Sequence, residues 1–97
     1  MASPDSTRHA QRRAVSYGTG QVARAFGAAL RAERLERGMS QDKLSAAADL
    51  DRTYPSLLER AMRSPTLWML LRLADGLGVE PDRLVMETVR RLRERVD

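Results

Sequence analysis

The chain has 97 residues, no cysteine and a net charge of +4, from 17 lysines and arginines against 13 acids. That length allows one small domain with a modest core, and the missing cysteine excludes disulfides, thiolate metal sites and cysteine nucleophiles. The longest uncharged run, Ala14 to Ala23, is about half of a membrane span, and no apolar run follows the N-terminal arginines as a secretory signal requires, so a soluble, cytoplasmic protein is expected.

Residues 1–20 are rich in Ser, Arg, Gly and Thr and are read as a mobile basic tail ahead of a domain spanning 21–97. Three arginines and one aspartate lie in it, so half the net charge sits there and the domain itself is only mildly basic. If the domain binds nucleic acid, a local cluster must do so. The tail is expected to be plainly disordered; the alternative is an arm laid along a nucleic-acid backbone, for which Arg8, Arg12 and Arg13 would serve.

From Gln21 the apolar residues Val22, Phe26, Ala29 and Leu30 recur at helical spacing, and Gly38 is suited to end that helix in a left-handed turn. Ser40 caps a short second helix from Gln41 to about Ala48, with Asp42 in its first turn. Asp49 falls where the chain must turn, Leu50 plugs the core, and Asp51 is placed to cap a third helix. Ser64 or Thr66 caps a fourth helix through Leu77, whose end Gly76 and Gly78 loosen. Glu80-Pro81-Asp82 opens a fifth, from about 82 to 96. No segment alternates as a strand would. The fold class is all-α, with five helices.

Two short helices across a three- or four-residue turn, at about residues 40–60, have the form of a helix-turn-helix. The stretch GMSQDKLSAAADLDRTYPSLLERAMRSPTLWMLLRLADGLGV, Gly38 to Val79, resembles the phage repressor/Cro superfamily of the xenobiotic-response-element type. Ser40, Gln41, Leu44, Leu50, Ser56, Glu59, Arg60, Pro65, Leu73, Ala74 and Leu77-Gly78-Val79 carry the match, which with the first helix covers about 22–85. LDRTY followed by Glu59-Arg60 further resembles the controller proteins of restriction–modification systems.

The resemblance implies that the third helix enters the major groove of duplex DNA with its N-terminal side chains at base edges. Arg52 would read guanine through a bidentate pair, and Thr53 a base edge or a thymine methyl. Gln41 would grip a phosphate, as would Arg60 and Arg63. Ser56 and Leu57 point to the groove or its rim, and Leu57 departs from the polar or basic residue usual there. Tyr54 either stacks on sugar-phosphate or covers the core edge. Glu59 is implied to pair with Arg34 of the first helix. Arg52, Arg60, Arg63 and Gln41 also have a plain reading as solvated surface residues.

Pro55 conflicts with a helix that runs from an Asp51 cap, because it lacks the N–H that would bond the Asp51 carbonyl. The expectation is that the helix keeps its register with a loosened first turn, so that Pro55→Ile would tighten DNA binding. A second solution would start it at Tyr54 or Pro55 and leave 51–53 as a turn.

Repressor-type domains act as twofold dimers, and a candidate interface is Trp68 and Met69 in the fourth helix with the stripe Val85, Val89, Leu92 and Val96 in the fifth. Leu84 and Met86 would then face the domain's own core. The alternative is that the stripe folds back on its own domain. The function expected is a sequence-specific DNA-binding transcriptional regulator, a homodimer on a two-half-site operator, with a restriction–modification controller as one form of it. A protein-interaction module or antitoxin keeping the fold is the rival. An enzyme is not expected: the single histidine, His9, lies in the tail, and no acid/base pair, phosphate loop or metal-ligand cluster is present. No cofactor, metal or small-molecule ligand is expected.

Overall fold

The computed structural model describes residues 17–96, which form α1 (Thr19–Glu36), α2 (Gln41–Ala48), α3 (Tyr54–Glu59), α4 (Leu67–Leu77) and α5 (Pro81–Val96). No strand occurs among the described residues. Arg8, Arg12, Arg13 and the rest of residues 1–16 lie outside the described part, as do Asp97 and the side chains of Arg95 and Val96.

The first helix begins two residues before the expected Gln21. A helix start leaves backbone N–H groups without partners, and Gly18 to Val22 deal with this locally. Gly18 N–H donates to the Gln21 side-chain oxygen at 2.8 Å, while the Gly18 carbonyl accepts from Gln21 and Val22 N–H at 3.1 and 3.2 Å. Capping, not apolar spacing, sets this boundary.

One core holds the helices together. Phe26 and Leu30 from α1 meet Leu44 and Ala48 from α2, Leu58 from α3, Leu73, Ala74 and Leu77 from α4, and Leu84 from α5. Each fully buried leucine contributes about 1.5–3 kcal/mol relative to exposure. Helices α1 to α4 all end in the same way, on a residue with positive φ: Gly38 (65°), Asp49 (57°), Ala61 (60°) and Gly78 (75°). The next residue's N–H then returns to the carbonyl five positions back, as Met39 does to Arg34 (3.1 Å), Leu50 to Ser45 (2.9 Å), Met62 to Leu57 (2.9 Å) and Val79 to Ala74 (3.0 Å). These closures satisfy carbonyls at the helix ends and fold an apolar residue back against the helix. Met39, Leu50 and Val79 pack on the core; Met62 does not and stays exposed.

Two glycines allow backbones to meet. A Cβ on Gly27 would lie 2.4 Å from the Leu58 carbonyl oxygen and 2.9 Å from that of Glu59, so α1 rides directly on the end of α3. A Cβ on Gly76 would lie 2.9 Å from the Ala48 nitrogen. Gly76 therefore does not loosen the end of α4, as its composition suggested; it lets α4 close onto the end of α2.

The C-terminal helix packs chiefly along α1. Its buried side is Leu84, Thr88 and Leu92, at spacings of four, with the Thr88 hydroxyl donating to its own helix at the Leu84 carbonyl (2.8 Å). This corrects the expected stripe. Leu92 is buried in its own domain and Met86 faces solvent, the reverse of the sequence reading. The cause is Thr88: with its hydroxyl satisfied within the helix it behaves as an apolar residue, and it moves the core line one position off Val85 and Val89. Met69 is likewise buried, as the first residue of the α4 core line that continues through Leu73 and Leu77. Glu33 of α1, itself buried, fixes the approach of α5 by accepting from Arg83 Nε (3.1 Å) and from Arg37 Nη1 (2.8 Å).

Candidate nucleic-acid interface

Helix α2 starts on Ser40, whose hydroxyl oxygen accepts from Lys43 N–H at 3.0 Å, and this leaves Gln41 as the first helical residue. Gln41 is not free. Its amide nitrogen donates to Glu59 Oε1 at 3.0 Å, and the same carboxylate receives Arg34 Nε at 2.7 Å and Arg34 Nη2 at 3.0 Å. The remaining Arg34 nitrogen, Nη1, donates to the Met39 carbonyl at 2.7 Å. One arginine and one glutamate thus join α1, α3 and the start of α2, with their side chains 9% and 4% exposed. The fork-to-fork pairing is the strong form of a charged hydrogen bond, and it holds the Arg34 guanidinium above its ordinary pKa.

The segment ahead of α3 resolves the conflict posed by Pro55. The helix begins at Tyr54, so Pro55 is its second residue, where a backbone N–H has no intrahelical partner in any case. Tyr54 N–H reaches the Asp51 carbonyl at 3.0 Å, which replaces the donor that proline lacks. The Pro55 ring is fully buried and fills a core position beside Leu58. Residues 51–53 form a turn, and that turn is not loose. Asp51 Oδ1 accepts both Thr53 N–H (2.9 Å) and the Thr53 hydroxyl (2.7 Å). These two bonds hold the Asp51 carboxyl below the usual carboxylate range, with a smaller pull from Arg52. Asp51 caps a turn, not the helix, and the first of the two solutions is excluded.

The turn and α2 together line one shallow groove, formed by Gln41, Asp42, Arg52, Thr53, Ser56, Leu57 and Arg60. Arg52 and Arg60 are exposed in it, Ser56 and Leu57 half-buried. Asp42, read from the sequence only as a favourable first-turn acid, faces Arg52 at 3.5 Å. Tyr54 and Arg63 do not line the groove. They pair with each other, the guanidinium carbon 5.7 Å from the ring centroid. A guanidinium over an aromatic face is attracted by the ring's quadrupole, so Tyr54 holds Arg63 beside the α3 end.

The remaining candidates lie at the rear. Trp68 and Val85 are exposed and Val89 is half-buried, whereas Met69 and Leu92 belong to the core. Leu67, Leu71 and Met86, none of them singled out as surface residues from the sequence, are also exposed. Arg72 stacks on the Trp68 ring at 5.1 Å and donates from Nε to the Ala48 carbonyl at 2.9 Å and from Nη2 to Asp49 at 2.5 Å.

A family model described as a helix-turn-helix domain matches residues 25–85. The chain belongs to this helix-turn-helix family, in its repressor/Cro form, and is a DNA-binding transcriptional regulator. Among its relatives, control protein C.BamHI of Bacillus amyloliquefaciens is 38% identical over 68 residues, covering 69% of this chain and 84% of that protein. The restriction–modification controller protein C.AhdI from Aeromonas hydrophila superimposes with a TM-score of 0.62 at 39% identity, over 64% of this chain and 94% of that one. The clp gene regulator ClgR from Corynebacterium glutamicum does so with a TM-score of 0.72 at 25% identity, over 77% and 80% of the two chains.

Proposed function

We propose that this regulator acts as a homodimer of the controller type, reading a two-half-site operator through the groove between α2 and α3. The observation that carries this is the convergence of Gln41, Arg52, Thr53, Ser56, Leu57 and Arg60 on one open surface. Arg52 and Thr53, on the turn locked by Asp51, meet base edges; Gln41, through the amide N–H not given to Glu59, and Arg60 meet the phosphates on either side. Tyr54 and the Arg63 it carries reach the backbone beyond the end of α3. Ser56 and Leu57 shape the floor of the groove. Asp49 to Arg60 as the reading unit and α4–α5 as the pairing unit follow the family's division of labour.

Pairing uses the apolar residues that the core leaves out, chiefly Trp68 and Leu71 of α4 and Val85 and Val89 of α5. Similarity to two proteins described as control or controller proteins supports a role in governing the expression of a restriction–modification system. Selection from random duplexes tests the reading, followed by titrations at several salt concentrations. A selected operator should show two half-sites about 34–36 Å apart. Arg52→Ala should relax the preference at one base position per half-site. Arg60→Ala should weaken all duplexes alike. Equal, feeble affinity for every duplex would refute it, and a monomer in sedimentation well above micromolar concentration would remove the paired form.

A further inference from the structure

The groove that faces DNA in this reading contains a carboxylate. Asp42, the second residue of α2, stands 3.5 Å from Arg52, with 73% of its side chain and 79% of the arginine's exposed. A negative charge on a surface meant for phosphates weakens binding, and at a helix start it also cancels the positive end that would attract an anion. Its charge favours the start of α2, and the atom it faces supplies a second use. Oδ1 of Asp42 lies against Nε of Arg52, at ion-pair distance, so the side of the guanidinium is engaged and its outer edge, the two Nη groups, is left open. That outer pair is a fork that matches guanine O6 and N7. Asp51, the other acid beside Arg52, is already committed to the Thr53 N–H and hydroxyl.

We propose that Asp42 is a positioning residue for base selection: it buttresses Arg52 in the orientation that reads guanine and withholds it from phosphates when guanine is missing. The inference rests on Arg52 reading a base, as argued above. On a matching site the arginine keeps its carboxylate partner while its Nη pair binds the base. On any other duplex it reaches a phosphate only by leaving Asp42, whose charge then faces the DNA unpaired. Specificity therefore comes from a penalty on wrong sites as well as from contacts to the right one.

Binding of the selected operator and of a scrambled duplex should be compared for the wild type, Asp42→Asn and Asp42→Glu. Asp42→Asn keeps the side chain's shape, and the Asp42 carbonyl still accepts from the Ser45 hydroxyl (2.8 Å), so the fold is retained. It should tighten binding to the scrambled duplex about fivefold at 0.15 M salt, the worth of one added phosphate contact, and steepen the salt slope by about 0.9. The operator-to-scrambled ratio should fall by at least that factor, with the loss confined to the base that Arg52 reads. Asp42→Glu restores the charge and should restore most of the ratio. In the Arg52→Ala background Asp42→Asn removes an unpaired charge and should tighten operator and scrambled duplex alike, leaving their ratio unchanged. An unchanged ratio in Asp42→Asn overturns the proposal, and so does an equal fall of the ratio in the Arg52→Ala background, which would place the effect outside Arg52. If the wild type selects no sequence, both this inference and the reading beneath it fall.

Discussion

Arg34 and Glu59 meet through two nitrogens and two oxygens, at 2.7 and 3.0 Å, across 25 residues of sequence. The pair is buried at the one point where three helices converge, and Gln41 and the Met39 carbonyl complete its hydrogen bonds. Such a pair contributes little beyond an apolar substitute, but removing one member strands the other's charge. Glu59→Ala should therefore cost about 3 kcal/mol in urea unfolding. Glu59→Gln, which keeps an acceptor for Arg34 and Gln41, should cost clearly less. Equal losses for the two variants would assign the stability to the carboxylate's charge and not to the packing and hydrogen bonds that glutamine keeps.

The two close-packed glycines should differ in sensitivity. On Gly27 an added methyl meets two backbone carbonyl oxygens, at 2.4 and 2.9 Å, neither of which can move without shifting α3. Gly27→Ala should destabilise by about 3 kcal/mol, the upper part of the overpacking range. On Gly76 the clash is milder, 2.9 Å to a nitrogen and 3.0 Å to the Ala48 methyl, and about 1–2 kcal/mol is expected. Thermal melts of the two variants would rank them, and the reverse order would contradict the packing described.

Ala61 sits at φ 60°, where only glycine avoids steric cost, yet it closes α3 just as Gly38 closes α1 and Gly78 closes α4. Relief of that cost exceeds the extra freedom glycine gains in the unfolded chain. Ala61→Gly should stabilise by about 0.5–1 kcal/mol. A rise in denaturant midpoint at constant slope is the expected signature.

The turn that carries Arg52 should respond to acid. Because Thr53 donates two hydrogen bonds to it, the Asp51 carboxyl titrates lower in the folded state than in the unfolded one. Its contribution is present above the unfolded value, about 3.9, and is lost as pH falls through the lower, folded value. The Thr53 amide resonance should therefore titrate with a midpoint below about 3.9. In Thr53→Val, where the hydroxyl is gone, that midpoint should move up.

Much of this architecture is legible because its signals are local. Gly38 and Gly78 act through their own backbones and Ser40 through its hydroxyl, and the helix ends they mark stand where expected. The start of α3 left two solutions because Asp51 can accept from its own turn or from a helix, and sequence does not say which donors reach it. Long-range facts were hidden for a different reason. Gly27 looks like a weak helix residue until Leu58 is placed against it, and Thr88 looks polar until its hydroxyl is found bonded inside α5. That single threonine shifted the core line of α5, so Leu92 was assigned to a partner's surface when it belongs to this chain's interior. In the groove, the family resemblance pointed to Arg52, but the facing of Asp42 on Arg52 depends on how α2 and the turn are folded together.

Arg72 couples the two ends of the molecule. Stacked on Trp68 and bonded to Ala48 and Asp49, it ties the face that would meet a twin to the last turn of α2, and Gly76 brings the backbones into touch at the same place. In a paired molecule the jaws cannot swing independently of the hinge: they form a calliper of fixed span. One base pair inserted between half-sites turns the second by about a tenth of a revolution, which a rigid gauge cannot follow, so operator spacing should be tolerated far less than operator sequence.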